Sequence, residues 1–444
     1  MENKNIMETM DIKKLSLKLS LPMVMSMISI ALYGIVDTIF ISNISDDALT
    51  TVSLCLPIIS IITAIGLGTS IGVNSLLART LGEKKQEKAH KIIVSGIYLI
   101  VFSYIIIALV STLGINLFFK VFTDNINIRS LGFDYLFIIA IFSFGTLFQM
   151  LFEKILEAYG KTKDSMLVQF SGALINLVLD PILIFSFNLG IKGASIATVI
   201  GQIFGMLIGI ALLRKNHIIN IFSIKDFKLE KEIIKDIYKV GFPTIILESA
   251  ESFITLILNK ILIDFSESAV SVWGVYCQLQ KFVLIIVYGL NYGMIPILAY
   301  NLGAKHKERI NECLSFFLKL ACLVTSVGML IFFAIPNIII SFFDVSEDVL
   351  ILGTHAFKIL SLGFIFAGIS LVFSSSFQAF GKGSYSLIIN LSRKIIFVLP
   401  LILLLKNILK ADSVWVSFTI SEILTMIIAI ILHKKINNKI IDVI

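Results

Sequence analysis

Charge is what this sequence has little of. Asp, Glu, Lys and Arg make up 15% of its 444 residues and apolar residues 57%, where soluble domains carry about 25% charged residues. So few charges do not coat a chain of this size in water, which excludes an ordinary soluble enzyme and leaves an integral membrane protein. Cysteine is scarce too. Cys55, Cys277, Cys313 and Cys322 form no CxxC or Cys/His pattern, so neither a disulfide framework nor a zinc site is implied. No HExxH is present, and the histidines sit in loops or near the ends of apolar runs, which offers no metal centre to an intramembrane enzyme. No Walker-type GxxxxGKS/T loop is present either, so ATP does not power any transport within this chain.

Long apolar runs are abundant. Twelve reach the roughly 20 residues needed to cross a ~30 Å hydrocarbon core as helix. They fall at 15–42, 49–77, 92–118, 131–157, 166–187, 193–213, 241–263, 270–299, 312–340, 352–378, 386–406 and 413–432. Strands are excluded, because the runs are too long, lack alternation, and must satisfy their own backbone hydrogen bonds in lipid. The predicted fold class is therefore an all-α integral membrane protein with twelve transmembrane helices. The lead from Met1 to Ser20 carries Glu2, Glu8, Asp11 and lysines with no small-residue cleavage site after it, and reads as a cytoplasmic amphipathic segment, not a signal peptide. With the N-terminus inside, 26 of the 37 basic residues lie on inner segments and five on outer ones, so both termini are expected in the cytoplasm, in the cell inner (cytoplasmic) membrane. The net charge of +7 is scattered over those inner loops and forms no stripe, which excludes a nucleic-acid partner.

Slid against itself, the sequence matches at one offset, 221 residues, from the first span to the fifth. Pro22 falls on Pro243, and Gly68 and Gly72 on Gly289 and Gly293. The loop LLARTLGEKKQEK (76–88) falls on ILAYNLGAKHKER (297–309), and EAYGK (157–161) on QAFGK (378–382). Composition alone does not align polar loop residues and glycines at a single shift. Six spans per repeat is an even number, so the expected fold is two six-helix bundles related by a pseudo-two-fold axis along the membrane normal, an architecture of transporters. The expected lobes are 1–220 and 221–444, joined through the charged cytoplasmic linker 214–240.

An unpaired carboxylate at mid-bilayer costs at least ~2.5 kcal/mol, so each one needs a reason. Asp37 lies near the outer end of span 1, and Asp180 lies roughly 10 Å deep in span 5 by rise per residue. Asn176 sits one turn before Asp180 on the same face, and Pro181 frees the carbonyl of Leu177. Thr198 in span 6 and Tyr135 in span 4 lie at similar depth. These oxygens suit a hard monovalent cation, and two close carboxylates would equally hold a proton. In the second half Leu258 answers Asp37 and Leu401 answers Asp180, so the ion chemistry is asymmetric. Span 7 instead carries Glu248 and Glu251 on one face, the deepest acids by this reading. They offer a counter-charge to a cationic, lipophilic substrate, or form an ion pair with Lys281, Arg393 or Lys394. Glu153, near the inner end of span 4, is expected to be solvated.

With Pro22 and Asp37 as P-x14-D, LARTLG (77–82) and LAYNLG (298–303), EAYGK and QAFGK, and N-x3-D-P (176–181), nearly the whole chain resembles the multidrug and toxic compound extrusion (MATE) family, most closely its prokaryotic branches. The resemblance implies cation-coupled export by alternating access, with Na⁺ or H⁺ as coupling ion and no other cofactor. It maps the family's amino-lobe cation site onto Asp37, Asn176, Asp180 and Thr198, with Tyr135 near them, and its acidic residue of span 7 onto Glu251. Some relatives use an acid in span 10, but 352–378 has none, only His355 and Lys358 near its outer end. Coupling is therefore expected through the amino lobe. The rival reading is a lipid-linked precursor flippase of the same superfamily, kept open by Lys281, Arg393 and Lys394 and opposed by Glu248 and Glu251. The expected partners are lipophilic or cationic small molecules and membrane lipids, and nothing demands more than a monomer.

Overall fold

The computed structural model describes residues 6–218, 230–263, 265–343, 345–410 and 412–438. Among them all regular structure is helical. A short helix, Ile6–Thr9, leads into α1 (Ile12–Ser42). Then come α2 (Asp46–Gly82), α3 (Gln86–Phe122), α4 (Ile126–Ile141), α5 (Phe144–Ala158), α6 (Thr162–Pro181) with a π-helical turn at Ile182–Ser186, and α7 (Gly190–Lys215). The second half holds α8 (Lys231–Ile263), α9 (Glu267–Gly303), α10 (Lys307–Ala334), α11 (Glu347–Ser361) and α12 (Phe364–Ala379). It closes with α13 (Gly383–Leu391), a π-helical turn at Ser392–Ile396, α14 (Val398–Leu409) and α15 (Asp412–Ile436).

Nine helices among the described residues are long and apolar enough to cross a membrane, and two bent pairs supply one span each. The 33-residue α8 completes the twelve. Spans 4 and 10, expected as single runs, are bent by 43° between α4 and α5 and by 49° between α11 and α12. No proline marks either break. Ser143 and Gly363 stand there instead, small residues that let a turn tighten without a clash.

The repeat reaches into the helix ends. α2 and α9 begin and end at equivalent positions and open on equivalent caps, Ser45 accepting from the Ala48 N–H and Ser266 from the Ala269 N–H. Lys84 and Lys305 both adopt positive φ, at 60° and 61°, and so do Gly160 and Gly381. α7 and α15 end at Lys215 and Ile436, which carries the offset into the sixth spans. The motifs LARTLG and LAYNLG are not loops, as expected, but the last turns of α2 and α9. Polarity marks where the membrane ends, and the helix continues to the left-handed lysine beyond it.

The chain forms two compact units, and they are not the two sequence halves. Met25–Ser249 lies in one, and Met7–Val24 joins Ala250–Ile444 in the other. In the second unit Arg309 donates from Nη2 to the carbonyls of Met7 and Met10, at 3.0 and 2.8 Å, holding the lead in place. In the first, Lys91 pairs with Glu230 at 2.9 Å just before α8. The repeat-matched glycines receive these segments. A Cβ on Gly68 would lie 2.7 Å from the Gly241 carbonyl, and one on Gly289 would lie 2.6 Å from the Val24 Cα. Gly68–Gly72 reads G-T-S-I-G, the pattern of a hydrolase nucleophile turn, but it is the interior of α2, without the strand-to-helix elbow that chemistry needs.

Candidate functional site

The candidate site is organised by contact between α6 and α7. Gly172 and Gly201 meet backbone to backbone, and a Cβ on Gly201 would stand 2.6 Å from the Gly172 carbonyl and 3.1 Å from the Asn176 Cβ. That approach brings Asn176, one turn beyond Gly172, against Thr198. Asn176 Nδ2 donates to Asp180 Oδ1 at 3.3 Å and to Thr198 Oγ1 at 3.3 Å, while the Thr198 hydroxyl donates to the Ala194 carbonyl at 3.0 Å.

Asp180 is fully buried, Asn176 and Thr198 nearly so, and Asp37 on α1 half-buried. Asp37 is carried by α1, whose Phe40 meets Phe185 in the turn after α6 edge-on, with ring centroids 6.3 Å apart. Tyr135 on α4 is 4% exposed. The structure thus joins Asn176, Asp180 and Thr198 by hydrogen bonds and places Asp37 and Tyr135 in the same unit. Tyr33, one helical turn before Asp37, shares its face of α1. The i, i+4 spacing from Asp37 was the available signal.

Three buried oxygens here have no hydrogen-bond partner: Asp37 Oδ1, Asn176 Oδ1 and Asp180 Oδ2. A buried carboxylate left without a counter-charge costs several kcal/mol. Two carboxylates with amide and hydroxyl oxygens form an all-oxygen, anionic donor set, which fits a small hard cation or a proton. The residues present therefore fit the ion that the family resemblance implies.

The acids of α8 are placed less fully. Glu248 is half-buried, and the Glu251 side chain lies outside the described residues. Of the cations proposed to pair with them, Lys281 is exposed, and Arg393 is committed elsewhere. It sits in the π-helical turn after α13 and donates from Nε and Nη2 to Glu422 at 2.8 and 2.8 Å. Glu422, ten residues into α15 and 8% exposed, was overlooked among the intramembrane acids. Glu153 is not solvated as expected. It is half-buried and accepts from Gln149 Nε2 at 3.0 Å, and Lys154 and Glu157 beside it are buried as an ion pair at 2.8 Å. These acids lie deeper than chain position suggested, because α5 packs against α2 and α6, where Asn74 donates to the Lys154 carbonyl at 2.7 Å and Ser165 to Glu157 at 3.0 Å.

The MatE family model matches residues 22–182 and again 243–404, once per repeat. The chain belongs to the MATE family. The family is one of transporters, and this MATE protein is a multi-pass membrane protein. It is 26% identical over 437 residues to the multidrug export protein MepA of Staphylococcus haemolyticus, covering 97% of this chain and 95% of that one. It is also 26% identical over 420 residues to MepA of Staphylococcus aureus strain MSSA476, covering 94% and 93%. Among solved structures it matches the outward-facing conformation of a multidrug resistance MATE family transporter, at TM-score 0.93 and 21% identity over 99% of both chains. A MOP superfamily transporter from Pyrococcus furiosus, described as having a binding pocket of reversed polarity that suggests a different function, matches at TM-score 0.91 and 22% identity over 98% of both. At these identities the structural matches speak for the fold.

Proposed function

We propose that this MATE protein is an antiporter that exports lipophilic, often cationic, drugs or toxic compounds by alternating access, in exchange for Na⁺ or H⁺. The observation that carries the reading is the set of unpartnered buried oxygens on Asp37, Asn176 and Asp180, a site that asks for a positive charge. Similarity to proteins named for multidrug export supports the cargo. In this reading the protein works in the cell inner membrane with both termini in the cytoplasm, and acts as a monomer.

Asp37 and Asp180 carry the negative charge, Asn176 orients Asp180 and Thr198 through its two donated hydrogen bonds, and Tyr33 and Tyr135 close the site. Neutralising the two carboxylates lets α1 repack against its unit and lowers affinity for the drug. Coupling requires each ligand to prefer one state, so cation affinity falls when drug is bound. Glu248 and Glu251 offer the counter-charge to a cationic substrate. A lipid-linked precursor flippase needs free cations for an anionic headgroup, and the Arg393 guanidinium is bound to Glu422, which weighs against that alternative.

The test is dye efflux from proteoliposomes under an imposed Na⁺ gradient and, separately, a pH gradient, with wild type and Asp180→Asn. Efflux that follows one gradient and is lost in the variant is expected. Efflux indifferent to the substitution overturns the amino-lobe site, and no dye movement under either gradient overturns drug export.

A further inference from the structure

We infer that the first unit contains an inward path for the coupling cation, a ladder of polar side chains from the Asp37/Asp180 site to the cytoplasmic end, with Glu153 as its inner station. This rests on the cation-coupled reading above and says where the cation goes after it is bound.

The rungs are consecutive. Thr198, which accepts from Asn176, lies one turn before Gln202 on α7. The Gln202 side-chain oxygen Oε1 accepts a hydrogen bond from the Thr146 hydroxyl on α5. Thr146 and Gln149 share one face of α5 at i, i+3. Gln149, only 6% exposed, donates from Nε2 to Glu153 Oε1 at 3.0 Å and to Gln169 Oε1 at 3.3 Å. One turn further, Glu157 accepts from Lys154 at 2.8 and 3.0 Å and from Ser165 at 3.0 Å. The Lys154 ammonium binds both Glu157 oxygens, and the Glu153 carboxylate accepts from the Gln149 amide. Successive rungs on one helix are about 6 Å apart, a spacing that single bridging waters span.

The second unit supplies an internal control. Its inner cluster is conserved in kind: Ser374 and Ser386, at the positions of Glu153 and Ser165, share a hydrogen bond of 2.7 Å. Asn390, at the position of Gln169, donates to Ser374 at 2.7 Å. Thr419 and Ser370 keep a hydroxyl where the first unit has Thr198 and Gln149, but the rungs between and beyond them are apolar, with Phe397, Leu401, Ile423 and Ala367 where the first unit has Asn176, Asp180, Gln202 and Thr146. An inner polar cluster is thus common to both repeats, but only the repeat with the outer carboxylates is connected to it by polar rungs, and only there is its inner station an acid. A stabilising role alone gives no reason for the connection to accompany the carboxylates.

The test uses the full chain with Gln202→Ile and Thr146→Ala, which install the second-unit residues, together with Glu153→Gln and the conservative Gln202→Asn. Two quantities are read: the cation concentration that half-displaces bound dye from the purified protein, and the efflux rate in proteoliposomes under whichever gradient drives wild type. Following ²²Na⁺ uptake in one arm and an internal pH dye in the other identifies the ion that travels the ladder. Gln202→Ile and Glu153→Gln are expected to leave the half-displacing concentration within about twofold and to slow efflux about tenfold or more, with Gln202→Asn restoring most of it. Near-wild-type efflux in Gln202→Ile and Glu153→Gln, while Asp180→Asn is inactive, overturns the path and leaves the antiport reading standing. A shifted half-displacing concentration in Gln202→Ile also overturns it, since Gln202 would then belong to the binding site. Unimpaired Asp180→Asn overturns the antiport reading itself, and the path with it.

Discussion

Arg393 and Glu422 occupy the positions that Gly172 and Gly201 hold in the first repeat. Where one unit lets two helices touch at their backbones, the other holds them with a buried, bidentate ion pair. Such a pair is costly to break from one side, because the surviving charge stays buried without a partner. Arg393→Met or Glu422→Leu alone is expected to lose about 3–5 kcal/mol, and the double variant to return to within about 1 kcal/mol of wild type. Thermal melting of the purified protein in detergent checks both. At the proposed cation site, Tyr33→Phe removes a hydroxyl one helical turn from Asp37 and is expected to weaken cation displacement of bound dye about three- to tenfold, a loss of about 1 kcal/mol. Asp180 and Asn176 were legible in the sequence because N-x3-D puts both on one helical face. Tyr33 was less so, since aromatic residues are common in an apolar span and only its i, i+4 spacing from Asp37 marks this one. Glu422 was visible as an acid deep in an apolar run, but its partner lies 29 residues away across a turn.

At the scale of elements, apolar runs located all twelve spans but not their shapes. A run reports how much helix is in lipid, whereas ends and bends depend on caps and close approaches that hydropathy does not see. α2 runs five residues past the expected end of span 2, to Gly82, and the two bends are produced by small residues and not by proline. The helix contacts explain glycines that looked like mere repeat markers. Gly289→Leu places a side chain where the Val24 Cα stands 2.6 Å from a Cβ, and is expected to destabilise by about 1–3 kcal/mol, read as a lowered melting temperature. Gly201→Val attacks the contact that sets the proposed cation site. It is expected to weaken cation displacement of bound dye even where the protein still folds.

For the whole molecule, the repeat was legible from one offset, and so was the division into six and six. What that offset does not reveal is that residues 7–24 belong to the second unit and 231–249 to the first. Membership is decided by which face a segment packs, and two repeats of one sequence offer nearly the same face twice. A direct expectation follows for a chain opened in the linker. Fragments 1–218 and 230–444 made separately each lack the leading segment that their main unit buries, and neither is expected to accumulate in the membrane. Produced together, they are expected to restore drug resistance to a sensitive host, with fragment levels read by immunoblot.

The exchange of leading segments also bears on how such a chain arose. A single six-helix ancestor of either repeat would have had its own lead unburied and the matching glycine groove unfilled. Two copies would have completed each other by trading leads, as a swapped dimer does. Gene fusion then had only to link an existing pair. On that account the linker is the recent part of the molecule and the crossed leads are the old part. The asymmetry of Asp37 and Asp180 against Leu258 and Leu401 is a specialisation that duplication makes available, since two copies then have separate sequences to change.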